Sequence, residues 1–249
     1  MDPTFYDRLA PFYHLLYADW EASIERQGAA LAALLRELGV QPGAAVHDAA
    51  CGIGTQTIAL ARHGYRMTGS DVSAGAVTRA ATELTARGLE ADLAVCDMRK
   101  LDRIVREPVA AVIACDNAVA HLLSDAEILD ALRSCHDALL PGGALVVSVR
   151  DYDTVPRRNP DVRPHVVHDD GERRVVPVQI WEWDDDQYDL RLYVTEEYAT
   201  GASFTHMLAT RYYAISLTRL LSLARKAGLV RVERRDGVLF QPVVIGFRR

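Results

Sequence analysis

The stretch Val46-His47-Asp48-Ala49-Ala50-Cys51-Gly52-Ile53-Gly54-Thr55 constrains the fold of this chain more than any other. It reads as the end of a buried strand, a tight loop of small residues, and the entry to a helix over Gln56 to His63. Gly52 and Gly54 remove side chains where the backbone must turn sharply and a ligand must come close. Asp48 stands at the carboxyl end of the strand, where open α/β sheets place their ligands. Many nucleotide sites use a glycine loop, so the ligand has to be read from the rest of the chain.

Around that loop, apolar runs alternate with helical periods. Residues 21–38 keep Ile24, Leu31, Leu34, Leu35 and Leu38 on one side of a helix, which Gly39 and Pro42-Gly43 end. Ala44 to His47 is the first strand, and Arg66 to Asp71 the second. Ser73 caps a helix running to about Ala86. Ala91 to Val95 is a third strand, ending at Cys96-Asp97-Met98, and Val109 to Cys115 a fourth, ending at Asp116-Asn117. Ser124 caps a helix over Asp125 to Leu140, and Pro141-Gly142-Gly143 turns it into a fifth strand, Ala144 to Val149. Continuous apolar strands suit a sheet covered on both faces, and right-handed crossovers make it a doubly wound parallel sheet.

The pattern changes after residue 153. Residues 154–172 are rich in Pro, Arg and Asp and read as an exposed excursion. Val175 to Trp183, Tyr188 to Glu196 and Phe204 to Ile215 read as three antiparallel strands of a small accessory sheet. Trp181 and Trp183 face one side of it, as that sheet's own core or as a wall for a bulky ligand. Ser216 caps a helix over Leu217 to Ala227, and Leu229 to Arg234 with Val243 to Phe247 complete a seven-stranded main sheet. At the other end, residues 5–20 are unusually aromatic. Pro11 breaks their first turn, and Phe12, Leu15, Leu16 and Trp20 then keep helical spacing. This segment is either an amphipathic helix capping the sheet or a lid whose tyrosines cover a cation, an attraction of roughly 0.5–2 kcal/mol. The expected fold is a single α/β domain over residues 1–249 with a Rossmann-like, doubly wound seven-stranded sheet. Its parts are an N-terminal helical lid (1–38), a ligand-binding core (39–153), an antiparallel accessory segment (154–215) and a completion of the core (216–249).

Composition removes several classes of partner. A net charge of −6 without a basic block argues against nucleic acid. No apolar run reaches the ~18 residues of a membrane span, and Met1-Asp2-Pro3-Thr4-Phe5 has no basic or apolar leader character. The expectation is a cytoplasmic protein with no membrane partner. Cys51, Cys96, Cys115 and Cys135 form no C-x-x-C pair and read as buried reduced thiols, with no metal site implied.

Four strand ends place polar groups on one crevice: Asp48, Asp71, Asp97 and Asp116-Asn117. Asp71 follows the loop by about twenty residues, where a carboxylate suits the vicinal hydroxyls of a ribose. The loop lacks the third glycine of G-x-G-x-x-G and the Gly-Lys-Ser/Thr of a P-loop. An acidic rim repels phosphates and welcomes a sulfonium and an amine. A nicotinamide-dinucleotide oxidoreductase is thereby disfavoured. A polar crevice facing the loop argues against a non-catalytic binding protein.

Asp48-Ala49-Ala50-Cys51-Gly52-Ile53-Gly54 resembles the D-x-x-C-G-x-G loop of class I S-adenosylmethionine-dependent methyltransferases. Asp71, Cys96-Asp97-Met98 and Leu139-Leu140-Pro141-Gly142-Gly143 resemble their later motifs, in order and at similar spacing, over about residues 40–150. The resemblance implies S-adenosyl-L-methionine as cofactor. It also implies the roles: the Gly52–Gly54 loop and Ala50 along the methionine part, Asp71 at the ribose hydroxyls, and Asp97 and Met98 at the adenine, with Asp48 and Val72 in the same donor site. Tyr13, Arg26 and Cys115 complete the implied donor set.

A narrower resemblance concerns the acceptor. Cys115-Asp116-Asn117-Ala118-Val119-Ala120-His121-Leu122 and Arg150-Asp151-Tyr152-Asp153 resemble motifs of the glycine and glycine/sarcosine N-methyltransferases, as does the aromatic N-terminal segment. By that resemblance Asn117 and Arg150 hold a substrate carboxylate and His121 lies near the donor methionine. His121 also reads as a core histidine, and Arg150 as a partner for Asp151 or Asp153. The family usually has Gly before the Asn, where this chain has Asp116. Its animal members carry an arginine for the donor's carboxylate near the position of Glu21; Arg26 is the nearest basic residue here. The accessory segment, with Gln179-Ile180-Trp181-Glu182-Trp183 and Tyr212-Tyr213, has no counterpart in that family's motifs.

Methyl transfer requires a lone pair aimed at the sulfonium methyl carbon at roughly 3–3.5 Å. An ammonium has none, so a neighbouring proton acceptor helps; Tyr17, His121 and Asp116 are the candidates. The implied reaction methylates the amine of a small carboxylate-bearing metabolite. The alternative acceptor is a larger metabolite, such as an amino sugar, methylated on N or O. The partner is a small-molecule methyl acceptor, with room for a homo-oligomer.

Overall fold

A computed structural model describes residues 3–249. The chain opens with α1 (Pro3–Leu9) and α2 (Trp20–Glu37), then alternates β1 (Ala45–Asp48), α3 (Thr55–Arg62), β2 (Arg66–Asp71), α4 (Ala74–Ala86), β3 (Asp92–Val95) and β4 (Val109–Ala114). α5 (Asp125–Ala138) leads into β5 (Leu139–Ser148). The accessory strands follow as β6 (Asp161–Pro164), β7 (His168–Asp169), β8 (Arg173–Asp184), β9 (Gln187–Tyr198) and β10 (Ser203–Tyr213). α6 (Leu217–Lys226), β11 (Val230–Arg235) and β12 (Val243–Phe247) close the chain. Side chains of Asp19, Ser73, Ser124 and Ser216 cap α2, α4, α5 and α6, each accepting a hydrogen bond from a first-turn amide.

The main sheet has the order β11-β12-β5-β4-β1-β2-β3. β1 to β5 pair in parallel, and β12 and β11 join antiparallel at one edge. The chain steps from β1 outward to β3, then returns to the other side of β1 as β4. That reversal opens a crevice at the carboxyl ends of β1 and β4, the natural ligand position of an open α/β sheet. The central strands are buried on both faces, as their apolar runs imply.

Three elements differ from the sequence reading. Residues 12–20 do not form one helix: Tyr13–Leu16 make a single 3-10 turn, Tyr17 is extended, and Trp20 begins α2. Pro11 ends the first helix because it has no amide hydrogen, and Asp19 caps the next one, detaching Trp20 from the lid. Residues 154–172 are not wholly an excursion. Asp161 to Pro164 and His168-Asp169 pair antiparallel with β8, so the accessory sheet has β10-β9-β8-β6 as its path with β7 beside it. Pro141-Gly142-Gly143 lies within β5, where the register against β4 jumps from Val109/Leu139 to Ala111/Ala144.

The accessory sheet packs by Trp181, Tyr188, Leu190, Leu192 and Val194 into the same core as α5, α6, β4 and β5. A second core fills the opposite face of the main sheet under α2. The lid crosses the crevice between the two sheets: Arg8 donates to the Met207 carbonyl at 3.0 Å, and His168 Nε2 meets the Leu15 carbonyl at 2.9 Å.

Candidate active site

The glycine loop is tied to both neighbours of β1. Ala49 N–H donates to Ile113 O at 2.8 Å, and Cys51 N–H to Ser70 O at 2.9 Å. Gly52 and Gly54 take φ of +51° and +95°. A Cβ on Gly54 would also meet Ala80 Cβ and Ile58 Cδ1 at 3.3 Å, so glycine is required there by backbone and packing alike.

Asp48 is fully buried beneath this loop. Its Oδ2 accepts from the Thr57 hydroxyl at 2.9 Å, while Oδ1 has no hydrogen bond of normal geometry. Burial pushes the carboxyl up to about 7, against the opposing effects of the Thr57 hydroxyl and the Ala50 amide. Asp71 accepts from the Gly52 amide at 3.0 Å and the Ser73 amide at 2.9 Å, and burial raises its pKa. Burial also acts upward on Asp97, but the Arg99 fork, reaching both oxygens at 3.0 Å, holds it below the usual carboxylate range.

A slot runs over these groups. Ala50 and Gly52 form its floor, and Asp71 with Val72 lies at the end of β2. Asp97, Met98 and Cys115 line it further along, with Tyr6, Tyr13 and His121 across it. Asp48 and Gly54 lie behind the loop rather than in the slot, and Arg26 is not in it. The slot fits S-adenosylmethionine. It offers a side-chain-free turn at Gly52, the Asp71 carboxylate where hydroxyls can donate, and the negative field of the Asp48 carboxyl buried beneath the loop.

The slot opens onto a cleft of about 790 Å³ bounded by the lid, α2, the accessory strands and the 237–241 loop. Arg26 lines this cleft. Asp116 and Asn117 follow β4 in the left-handed region, at φ +54° and +69°. Asn117 is 6% exposed, and its amide is engaged within the protein: Oδ1 accepts from the Arg150 amide at 3.0 Å and Nδ2 donates to the Tyr152 hydroxyl at 2.7 Å. The Tyr152 hydroxyl lies 3.1 Å from that of Tyr188. Arg150 stacks over Trp181, its guanidinium carbon 4.6 Å from the ring centroid, and Arg163 lies over the same ring at 3.7 Å. Asp151 pairs with Arg234 rather than Arg150, whose guanidinium has no ion pair among the described residues. Trp181 serves both alternatives read from the sequence: it is buried in the core and lines the cleft.

Tyr17 donates to Asp116 Oδ2 at 3.0 Å. His121 is buried, its Nε2 lies 2.6 Å from the Tyr6 hydroxyl, and its ring packs 4.0 Å from Tyr212. Burial lowers its pKa to about 3. Gln56, Arg163 and Gln241 escaped the sequence reading. Gln56 Nε2 reaches Asp116 Oδ2 at 2.9 Å and Gln27 Oε1 at 2.8 Å. Gln241 lines the cleft with a buried, unpartnered Oε1. Neither glutamine belongs to a motif; only Arg163, in a run of Arg and Asp, had a compositional signal.

Residues 46–143 match the family model described as a methyltransferase domain. The chain is 30% identical over 135 residues, 54% of its length, to the glycine/sarcosine N-methyltransferase of Parasynechococcus marenigrum (strain WH8102). It covers 47% of that protein, and thus spans about half the length of the curated relatives it matches. Among solved structures it is similar to Streptomyces venezuelae DesVI, with a TM-score of 0.84 at 21% identity, covering 96% of this chain and 98% of that one. It is also similar to the sugar N-methyltransferase KedS8 from Streptoalloteichus sp ATCC 53650, with a TM-score of 0.77 at 22% identity, covering 91% and 88%. Residues 46–143 thus hold a methyltransferase domain, and the loop motif and the fold around it support a class I S-adenosylmethionine-dependent enzyme with S-adenosyl-L-methionine as its cofactor.

Proposed function

We propose that this chain transfers the methyl group of S-adenosylmethionine to the amine of a metabolite larger than glycine that also carries an anionic group, of the amino-sugar kind. The cleft carries the proposal. Its volume of about 790 Å³ falls in the range of ~300–1,000 Å³ that holds drug-sized ligands, and an unpaired Arg150 lines it. The overlap with the sugar N-methyltransferase KedS8 over 91% of this chain supports it. When bound, the cofactor supplies an electrophilic methyl group on a sulfonium. Asp71 would take the ribose hydroxyls, Asp97 and Met98 would flank the adenine, and the Ala50–Gly52 turn would lie along the methionine part, with the Asp48 carboxylate lending its negative field from beneath the loop. Arg150 holds the acceptor's anion, set in place by Asn117 through its backbone amide. Tyr6, Tyr13 and Tyr17 close the lid over the donor and exclude water. Free buried cysteines suit a reducing cytoplasm.

A second reading, glycine or sarcosine as acceptor, is favoured by the curated relatives. An acceptor screen with adenosylhomocysteine release as readout separates the two. Nucleotide-linked amino sugars are expected to turn over and glycine, sarcosine and dimethylglycine to lag. Turnover confined to the latter three replaces the first reading with the second. Arg150→Ala is expected to raise the acceptor KM roughly 10- to 100-fold, the loss of a charged hydrogen bond, with donor binding intact by calorimetry. Asp71→Ala is expected to do the reverse; equal donor loss in both variants contradicts the assignment.

A further inference from the structure

Three side chains line both the donor slot and the acceptor cleft: Tyr6, Tyr13 and Asp116. Donor and acceptor can meet only past these groups. Asp116 is the one carboxylate among the residues lining the cleft, whose other charged residues are cationic, Arg26, Arg150 and Arg163. Both contacts to its carboxylate fall on Oδ2, from the Tyr17 hydroxyl at 3.0 Å and from Gln56 Nε2 at 2.9 Å. No hydrogen bond reaches Oδ1 among the described residues. The titratable groups that face Asp116 are Tyr13 and Tyr17 from the lid, Asp48 from β1 and the preceding Cys115; no ion pair neutralises it.

The other two candidates have other engagements. His121 Nε2 is already paired with the Tyr6 hydroxyl at 2.6 Å in a closed ring cluster. Tyr17 directs its proton at Asp116, and burial raises its pKa far above 10, so its hydroxyl is a donor here. We propose that Asp116 is the catalytic proton acceptor of the reaction, its Oδ1 facing the acceptor amine while Tyr17 and Gln56 hold Oδ2. This rests on the N-methyltransferase reading above. The ammonium gives one proton to the carboxylate, forming a neutral amine. The freed lone pair then forms the N–C bond as the methyl–sulfur bond breaks. The products are a methylated ammonium and neutral adenosylhomocysteine, and the carboxyl returns its proton to solvent after release. Burial raises the Asp116 pKa and brings it nearer that of an amine.

The test compares wild type with Asp116→Asn on whichever amine the screen finds. Asparagine tolerates the left-handed backbone at this position, so the variant can keep the fold. Donor affinity, read by calorimetry, is expected to stay within threefold. At pH 7 kcat is expected to fall on the order of 100-fold or more. The variant's kcat/KM should then climb about tenfold per pH unit up to the amine's own pKa, because only the free amine reacts. With an acceptor analogue whose amine is already neutral at pH 7, the deficit should shrink below tenfold. Tyr17→Phe, which removes one bond to Oδ2, should show a smaller kcat loss with the wild-type pH profile. A variant within threefold of wild type, or one with an unchanged pH profile, overturns the role of Asp116. A wild-type enzyme that releases adenosylhomocysteine with no amine overturns the underlying reading instead.

Discussion

Asp48 is placed by the chain where its charge is least comfortable. It is fully buried, its one side-chain hydrogen bond comes from Thr57, and its pKa rises to about 7. In the proposed reading the negative field of its ionised form, beneath the loop, favours a cationic donor, so protonation and binding compete. Donor affinity is expected to be flat above about pH 7.5 and to fall below pH 7, by at most about tenfold per unit, in calorimetric titrations. Asp48→Asn should bind the donor more weakly with that slope abolished. The same variant should raise the thermal midpoint of the free protein at pH 8, because an isolated buried charge is gone. Gly52, Gly54, Asp48 and Asp71 were legible in the sequence because a strand, a turn and a spacing of about twenty residues locate them without tertiary knowledge. Asn117 was legible as a strand-end residue beside the cleft, but not its engagement: its partner Tyr152 lies 35 positions away.

The lid owes its position to the accessory sheet. His168 Nε2 holds the Leu15 carbonyl at 2.9 Å, Arg8 holds Met207 O at 3.0 Å, and Phe12 packs on His206 with ring centroids 4.8 Å apart. Each hydrogen bond contributes about 0.5–1.5 kcal/mol. Replacing Arg8 and His168 together with Ala is therefore expected to increase lid opening roughly 5- to 150-fold. Hydrogen exchange should accelerate over residues 5–17 and donor release should quicken, while protection in β1 and β4 stays unchanged. Unchanged exchange in the lid would mean that its apolar contacts alone hold it. The main-sheet strands were readable because burial on both faces imposes continuous apolar runs. β6 was not, because it is an edge strand: Pro160 and Pro164 flank or end it, and Asp161 and Arg163 pair across its surface. The lid turn failed for a different reason. The helical spacing of Phe12, Leu15 and Leu16 is real, but Pro11 and Asp19 leave room for only one turn.

At the scale of the whole molecule, the switch between β1 and β4 gathers the site and also concentrates its buried ionisable groups. His47, in the middle of β1, bridges the Thr68 and Ser70 hydroxyls at 2.8 and 3.0 Å, and burial lowers its pKa to about 4. His121 is lowered to about 3. Both are neutral in the folded chain and titrate near 6.5 when it unfolds. Their stability is complete above about pH 6.5 and is lost as pH falls toward 4 and 3. Asp48 has the opposite sign. Its folded pKa of about 7 exceeds the unfolded value, so acid favours the folded state as pH falls from 7 toward 4. Between pH 6.5 and 4.5 each histidine removes roughly 2 kcal/mol, and Asp48 returns about as much. Asp48 thus offsets one histidine, and the raised carboxyls of Asp71 and Asp116 act in the same direction as Asp48. Urea unfolding across this interval reads the balance between the two histidines and these carboxyls. Relative to wild type, Asp48→Asn should lose about 2 kcal/mol more between pH 6.5 and 4.5, and His47→Gln about 2 kcal/mol less. Parallel curves for all three proteins would show that the acid limb is governed by surface carboxylates instead of the groups buried at the switch.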